Sequence, residues 1–200
     1  MKLVLASNNA KKLAELQTLF APLHLQLVPQ AALGIAEAEE PHVTFVENAL
    51  AKARHASKHA DAAAIADDSG LCVDALGGAP GVLSARYATL FGGPKSDADN
   101  NRMLLQNLQP IDDRRARFVS ALVAVRSPDD PEPLIAFGRW EGVILTVPRG
   151  EGGFGYDPVM FIPLLNQTVA ELNPELKNTH SHRALAAQQM LALMREVWKK

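Results

Sequence analysis

The sequence predicts an α/β fold, because strand and helix patterns alternate from its first residues. Residues 3–6 form a short apolar run typical of a buried strand. Residues 9–20 follow with apolar side chains at helical spacing. Residues 23–28 then alternate apolar and polar side chains, which is the pattern of a half-buried strand. This order of strand, helix and strand favours a sheet that is covered by helices.

The alternation continues through the middle of the chain. Thr44 and Glu47 form a capping-box pattern, which predicts a helix that begins at Thr44 and ends near residue 60. Residues 62–66 predict another buried strand, which is expected to end at the Asp-Asp-Ser-Gly sequence of residues 67–70. Ser96 then predicts the start of a helix over residues 96–108.

The second half of the chain is richer in strand patterns. Residues 117–125 and 134–145 are β-rich, and the Ser-Pro-Asp-Asp-Pro sequence between them predicts a hairpin. A glycine-rich loop spans residues 150–158, and the last helix is expected over residues 182–198. The antiparallel signals indicate a second lobe on the same sheet, within a single domain of residues 1–200.

The composition limits the classes of partner. The chain has 200 residues, 48% of them apolar, and a net charge of -2, so it offers a core but no bulk positive field for nucleic acid. No apolar run approaches the roughly 20 residues that a membrane span needs. No basic-plus-apolar leader opens the sequence, and the single cysteine, Cys72, excludes an intrachain disulfide. We therefore expect a cytoplasmic protein that binds neither nucleic acid nor membrane.

Residues 7–12, Ser-Asn-Asn-Ala-Lys-Lys, lie between the first strand and the first helix. A helix N-terminus carries N–H groups without intrahelical partners and a positive dipole end, and both attract phosphate. Ser7 and Asn9 can add neutral donors, and Lys11 or Lys12 can add charge. The segment lacks the glycines and the Gly-Lys-Ser/Thr ending of a P-loop. The alternative is a helix cap followed by solvated lysines.

Two acidic segments could hold a divalent cation. Ligands of α/β sheets bind at the carboxyl ends of strands, which is where residues 67–70 are predicted. Neighbouring strand residues point to opposite sides, so at most one of Asp67 and Asp68 is expected to face a ligand. A carboxylate from the acidic loop of residues 34–43 could complete the site. The alternatives are a turn stabilised by aspartate and serine side chains, and a solvated loop.

Two further segments offer groups that suit a purine nucleotide. The glycine-rich residues 152–158 leave Phe154 able to stack on a flat ring, or to serve as a core aromatic residue. Lys177 and residues 181–183, Ser-His-Arg, offer donors for a keto oxygen or a phosphate. In the alternative interpretation, Ser181 is only a helix cap and His182 is a structural histidine.

The order of these motifs resembles that of the inosine triphosphate pyrophosphatase family. The resemblance runs from residue 3 to the last helix and includes residues 77–81 and 84–87. It implies an elongated mixed β-sheet flanked by helices, with two lobes and an active cleft between them. It also implies a homodimeric, Mg2+-dependent enzyme that hydrolyses deaminated purine nucleoside triphosphates (ITP, dITP and XTP) to the monophosphate and pyrophosphate.

The resemblance also implies a role for each matching residue. Asp68 is the expected proton acceptor and a metal ligand, and Glu40, or Glu39 beside it, is the second metal ligand. The expected substrate contacts are Ser7, Asn8, Asn9, Ala10, Lys11 and Lys12, then Ser69, then Phe154, Gly155, Tyr156 and Asp157, and finally Lys177, His182 and Arg183. Asn8 stands where many relatives have glycine, and Leu83 replaces a common aromatic residue.

These roles lead to a hypothesis for the chemistry. Lys12 and Lys52 would stabilise the leaving pyrophosphate, and His182 or Arg183 would donate to the keto oxygen at C6 of hypoxanthine or xanthine. Adenine presents an amino group there and would leave a donor unpaired. Two alternative functions are a pyrophosphatase for other modified nucleotides and a non-catalytic nucleotide-binding regulator. A silent regulator would have lost the acidic residues, and they are present.

Overall fold

Seven strands form one mixed sheet in the computed structural model, which describes residues 2–21 and 26–198. The strands are β1 (Lys2–Leu5), β2 (Gln26–Pro29), β3 (Ala64–Val73), β4 (Arg115–Val125), β5 (Leu134–Ile144), β6 (Met160–Ile162) and β7 (Gln167–Thr168). Their order across the sheet is β2-β1-β3-β4-β5-β6-β7. β1 pairs in parallel with β2 and β3, whereas β6 pairs antiparallel with β5 and β7.

Helices accompany the sheet throughout the described residues. They are α1 (Ala10–Phe20), α2 (Phe45–Ala60), α3 (Asp97–Asn107), α4 (Pro174–His180) and α5 (His182–Val197). The side chains of Asn9, Thr44 and Ser96 accept backbone N–H groups from the first turns of α1, α2 and α3, so the three helices begin where the sequence places their caps. The predicted α/β class is confirmed. Among the described residues, no helix is both long and apolar enough to cross a bilayer.

β3 is longer than the sequence pattern predicts. The prediction ended this strand at residue 66, but β3 continues to Val73, so residues 67–70 lie inside the strand. Gly70 permits this path, because a Cβ there would collide with a neighbouring carbonyl oxygen and with the hydroxyl of Ser84. The predicted end of the strand was therefore wrong, and so is the alternative of a turn at residues 67–70.

Other elements differ less from the prediction. β4 and β5 are neighbours in the sheet and are joined by residues 126–133, where the hairpin was expected. Residues 23–25 of the predicted second strand lie outside the described residues, and β2 is the described remainder of that prediction. Helix α4 and the short strands β6 and β7 had not been predicted.

The chain divides into two compact units, each with its own apolar core. The first unit comprises Met1–Asp68, Ser120–Gly138 and His182–Lys200, and the second comprises Ser69–Val119 and Arg139–Ser181. In the first unit α1 packs on α5, and Leu3, Ile65 and Met190 are completely buried. The last helix therefore belongs to the same unit as the first strand.

The start of α5 lies directly against β5 in the first unit. A Cβ at Gly138 would collide with the carbonyl oxygen of His182 and would lie 2.7 Å from the amide nitrogen of Ala186. Glycine is therefore required at the point where this helix meets the strand. The contact fixes the end of α5 that carries His182 and Arg183, two of the predicted site residues.

Candidate active site

Asp67 and Asp68 are both buried in β3, and they contact different sets of side chains. Asp67 binds Lys12 and Ser120, whereas Asp68 binds Lys52 and Asn48. Side chains alternate along a strand, so neighbouring residues point to opposite sides. The two carboxylates therefore belong to two charge networks with different ion-pair partners.

The network of Asp67 joins three distant parts of the sequence. Its carboxylate lies 2.8 Å from Lys12 Nζ, accepts a hydrogen bond of 2.7 Å from Ser120 Oγ and lies 3.6 Å from Arg183 Nε. Burial alone would raise the pKa of Asp67, but Lys12 and Arg183 outweigh it and hold that pKa far below its usual range. Asp67 is therefore a fixed negative charge shared by two cationic site residues.

Arg183 is held from a second side by α1. Its Nη1 lies 3.1 Å from Glu15 Oε2, and the residue is only 5% exposed. Glu15 lies one helical turn after Lys12, so both side chains project from the same face of α1. Asp67 and Glu15 together fix the direction of the Arg183 guanidinium.

The network of Asp68 contains Lys52 and Glu40. Lys52 Nζ lies 2.9 Å from Asp68 Oδ1 and 2.7 Å from Glu40 Oε1. Burial raises the pKa of Asp68, and the opposing effect of Lys52 is smaller. Burial would lower the pKa of Lys52, but the carboxylates of Asp68 and Glu40 outweigh it and raise that pKa. Lys52 therefore stays a cation between two carboxylates.

The carboxylates of Asp68 and Glu40 fit a divalent cation. Asp68 and Glu40 both approach a single positive centre, the Lys52 ammonium, so they can also approach a metal cation. Glu39 is exposed and Glu40 is the residue that reaches this centre. Within the described residues, no group of three or more His, Cys, Asp and Glu side chains is arranged for a metal. Mg2+ is commonly held by one or two carboxylates together with substrate phosphates.

The predicted phosphate segment forms the exposed N-terminus of α1. Asn9 Oδ1 accepts the backbone N–H groups of Lys11 and Lys12 at 3.0 and 3.1 Å, and Ser7 Oγ accepts that of Asn9 at 3.2 Å. Asn8 and Ala10 are exposed beside them. Asn8 does not adopt a positive φ, so asparagine causes no backbone strain at this position.

In the second unit, Asp157 organises the glycine-rich loop. Its Oδ2 accepts hydrogen bonds of 2.9 Å from the Phe154 amide and from Lys177 Nζ. Lys177 Nζ also lies 4.7 Å from the centre of the Phe154 ring. A Cβ at Gly153, where φ is 75°, would collide with the Asp157 carboxylate. The buried Asp157 and Lys177 thus support Phe154 directly.

The neighbouring residues of this loop are bound through their backbone or buried. The Gly155 amide donates to Asp97 Oδ2, and its carbonyl oxygen accepts from Asn101 Nδ2, both at 2.8 Å. Tyr156 is buried, and its hydroxyl donates to the Ser84 carbonyl oxygen at 2.9 Å. Burial raises the pKa of Tyr156, so this phenol stays neutral. The side chain of Tyr156 therefore anchors the glycine-rich loop to the segment that contains Ser84.

The cationic cluster predicted near the last helix is divided between the two units. Lys177 pairs with Asp157 in the second unit, whereas Arg183 pairs with Asp67 and Glu15 in the first. Ser181 and His182 are both buried where α4 ends and α5 begins. The predicted substrate contact Ser69 follows Asp68 in β3 and is half-buried. Closeness in sequence therefore did not mean that these side chains share partners.

A family model covers nearly all of this sequence: the Ham1 family model matches residues 3–193. The chain belongs to the Ham1 family. The relationship that the ordered motifs predicted is thereby confirmed.

Named relatives of this Ham1 chain match it from end to end. A dITP/XTP pyrophosphatase of Methylibium petroleiphilum is 66% identical over 206 residues, covering 99% of both chains. A dITP/XTP pyrophosphatase of Acidovorax sp. strain JS42 is 66% identical over 198 residues, covering 99% of this chain and 97% of its own. The structure of a HAM1 protein from Coxiella burnetii has a TM-score of 0.91 at 44% identity, covering 98% of this chain and 100% of that one.

Several polar residues that bind the predicted site residues were not themselves predicted from the sequence. They are Glu15, Asn48, Asp97, Asn101 and Ser120. Helical spacing from Lys12 could have identified Glu15. The others contact site residues that are 20 or more positions away in the chain, so no local pattern marks them.

Proposed function

We propose that this chain hydrolyses deaminated purine nucleoside triphosphates, ITP, dITP and XTP, to the nucleoside monophosphate and pyrophosphate. The observation that carries the proposal is the buried Asp68, which shares one cation with Glu40 in a chain belonging to the Ham1 family. Relatives 66% identical over the whole chain bear the name dITP/XTP pyrophosphatase. The enzyme would remove these nucleotides from the pool.

The proposed reaction is attack of water on the α-phosphorus. A new P–O bond forms to the water oxygen, the bond from the α-phosphorus to the bridging oxygen breaks, and pyrophosphate leaves with the electron pair. Asp68 accepts the proton of the water, a role that suits a carboxylate whose pKa is raised by burial. Lys12 and Lys52 are the cations proposed to stabilise the negative charge that develops on the leaving group.

Mg2+ is the proposed cofactor, with Asp68 and Glu40 as its ligands. When bound, it supplies charge neutralisation for the triphosphate and polarises the α-phosphate. The exposed N-terminus of α1, formed by residues 7–12, supplies side-chain donors and the positive end of the helix dipole for the phosphates. A net charge of -2 offers no bulk field for this task, so the local groups must carry it.

Base recognition is proposed for Phe154, His182 and Arg183. Phe154 offers a ring face for stacking, and its position is fixed by the Asp157–Lys177 pair. Arg183 offers only donors, which match the keto oxygen at C6 of hypoxanthine and xanthine. Because Asp67 and Glu15 fix the guanidinium, turning it to suit the amino group of adenine would break buried ion pairs.

Assembly and location complete the proposal. We expect a homodimer in the cytoplasm that binds neither nucleic acid nor membrane. Sedimentation at micromolar concentration should give twice the mass of the 21.6 kDa chain. A single species of monomer mass would refute the dimer and leave the proposed reaction untouched.

The proposed reaction is tested by measuring pyrophosphate release from ITP, XTP, dITP, ATP and GTP at equal concentrations. Release should be fastest from ITP, dITP and XTP, and Asp68→Asn should abolish it. Other modified nucleotides are assayed in parallel, and faster pyrophosphate release from one of them would identify a different pyrophosphatase. Tight binding of ITP without release would indicate a nucleotide-binding regulator.

A further inference from the structure

The acidic loop of residues 34–43 is attached to helix α2 by one buried side chain, Asn48. Asn48 is 1% exposed. Its Oδ1 accepts the backbone N–H of His42 at 3.0 Å, and its Nδ2 donates to the His42 carbonyl oxygen at 3.1 Å. The amide therefore holds both polar backbone groups of a single loop residue, as a neighbouring strand would.

The same amide also reaches Asp68. Asn48 Nδ2 donates to Asp68 Oδ2 at 3.4 Å, while Asp68 Oδ1 binds Lys52. A carboxamide has two N–H donors, and here one serves His42 and the other Asp68. Asn48 is thus a buried side chain that bonds both the backbone of the acidic loop and the strand carrying Asp68, whereas Lys52 contacts the loop through the Glu40 carboxylate.

The position of His42 in the loop makes this contact relevant to Glu40. Only Pro41 separates the two residues, and its ring restricts φ to about -65°. Fixing the backbone of His42 therefore restricts the direction in which Glu40 leaves the loop. A second attachment lies on the other side of Glu40, where His55 Nε2 is 3.0 Å from the Ala36 carbonyl oxygen.

We propose that Asn48 is a positioning residue that sets the separation of Glu40 and Asp68, and thereby the affinity of this carboxylate pair for a divalent cation. The inference rests on the proposed function of these carboxylates as metal ligands. The contacts of Asn48 are with His42 and Asp68. It acts by holding the loop of one ligand and donating to the other. Changes in such supporting residues typically weaken metal affinity by about 10- to 100-fold.

Asn100 supplies a matched control for the loss of a buried asparagine. It is the fourth residue of α3, as Asn48 is of α2, and it is 2% exposed. Its Oδ1 accepts the backbone N–H of Ala88 at 2.8 Å, so it also ties a helix to a distant segment. It belongs to the second unit, whereas Glu40 and Asp68 belong to the first.

The experiment is a titration of the full-length protein with Mn2+ alone, in which free Mn2+ is followed by electron paramagnetic resonance. Native protein, Asn48→Ala, Asn100→Ala and Asp68→Ala are compared, and circular dichroism checks that each is folded. Asn48→Ala should weaken Mn2+ binding by about 10- to 100-fold, Asn100→Ala should leave it unchanged, and Asp68→Ala should remove it. Binding by Asn48→Ala within threefold of the native value would overturn the positioning role.

Asn48→Asp keeps the test decisive if Asn48→Ala does not fold. This variant keeps the shape and the acceptor for His42 but loses both donors, and it adds a negative charge beside Asp68. Weaker Mn2+ binding would support positioning, because added charge by itself would strengthen it. Equal or tighter binding would overturn the role. If the native protein itself bound no Mn2+ while releasing pyrophosphate in excess EDTA, the metal site would be wrong and the inference would fall with it.

Discussion

Replacing Asp67 by asparagine is expected to lower the free energy of unfolding by about 3 kcal/mol, although the two side chains have nearly the same shape. The Asp67 side chain is 0% exposed and lies 2.8 Å from Lys12 Nζ. Its removal would leave Lys12 and Arg183 without the anion they share. Breaking a buried pair by removing one partner costs about 3–5 kcal/mol. Lys12 is 17% exposed and can regain some hydration, which favours the lower end of that range.

The expected loss is large enough to measure directly. In a domain of this size, 1 kcal/mol corresponds to about 2–4 °C in Tm, so Asp67→Asn should melt about 6–12 °C below the native protein. Calorimetry at pH 7, with urea unfolding as a second measurement, would determine both quantities. Asp113→Asn is the control, because Asp113 and its partner Arg115 form an ion pair of 2.7 Å that is largely solvated.

Two outcomes decide the interpretation. A large loss of unfolding free energy in Asp67→Asn, with little change in Asp113→Asn, would support a stabilising role for the buried charge network around Asp67. A loss for Asp67→Asn smaller than about 1 kcal/mol, the size typical of surface pairs, would refute the reasoning. In that case the positive charges of Lys12 and Arg183 would not need the Asp67 carboxylate to neutralise them.

Further measurements test the proposed chemistry and the electrostatics. Asp68→Asn should lose pyrophosphate release while still binding ITP, and Asp67→Asn should retain more of this activity. Equal losses of activity in two folded variants would contradict a catalytic role that belongs to Asp68 and not to Asp67. Excess EDTA should abolish release, and full activity in EDTA would exclude a metal role. Arg183→Ala should narrow the ITP-to-ATP ratio of kcat/KM by about 5- to 150-fold, whereas equal loss for both would assign Arg183 to the phosphates. Hydrogen bonds from Arg126 hold the pKa of Asp130 below its usual range. The ionised Asp130 should therefore add to the free energy of unfolding at pH 7, and this stabilisation should be lost as pH falls below about 4. In urea unfolding, the difference in free energy between the native protein and Asp130→Asn should shrink over that pH range.

Local sequence patterns were sufficient where local physics determines structure. Asn9, Thr44 and Ser96 each accept an N–H group within the next three residues, so the caps of α1, α2 and α3 can be predicted from short stretches. The order of strand, helix and strand at the start of the chain was predictable for the same reason. The family could be predicted because its motifs are local and appear in a fixed order.

The course of β3 could not be predicted in this way. Aspartate and glycine are poor strand formers, so residues 67–70 have the composition of a turn. Tertiary contacts override this preference. Asp67 and Asp68 are each neutralised by a lysine from a different helix, and Gly70 is needed because another segment lies too close for a side chain. None of these partners lies near residues 67–70 in the sequence.

Asp67 and Asp68 have different ion-pair partners, as expected for neighbouring strand residues that point to opposite sides. One side gathers Lys12 and Arg183, the cations proposed for phosphate and base. The other gathers Lys52 and, through it, Glu40, the proposed metal ligand. Two neighbouring aspartates in one strand thereby fix the relative positions of both charge networks, and a shift of β3 by one residue would put Ala66 or Ser69 in the place of one aspartate and leave its network without a carboxylate.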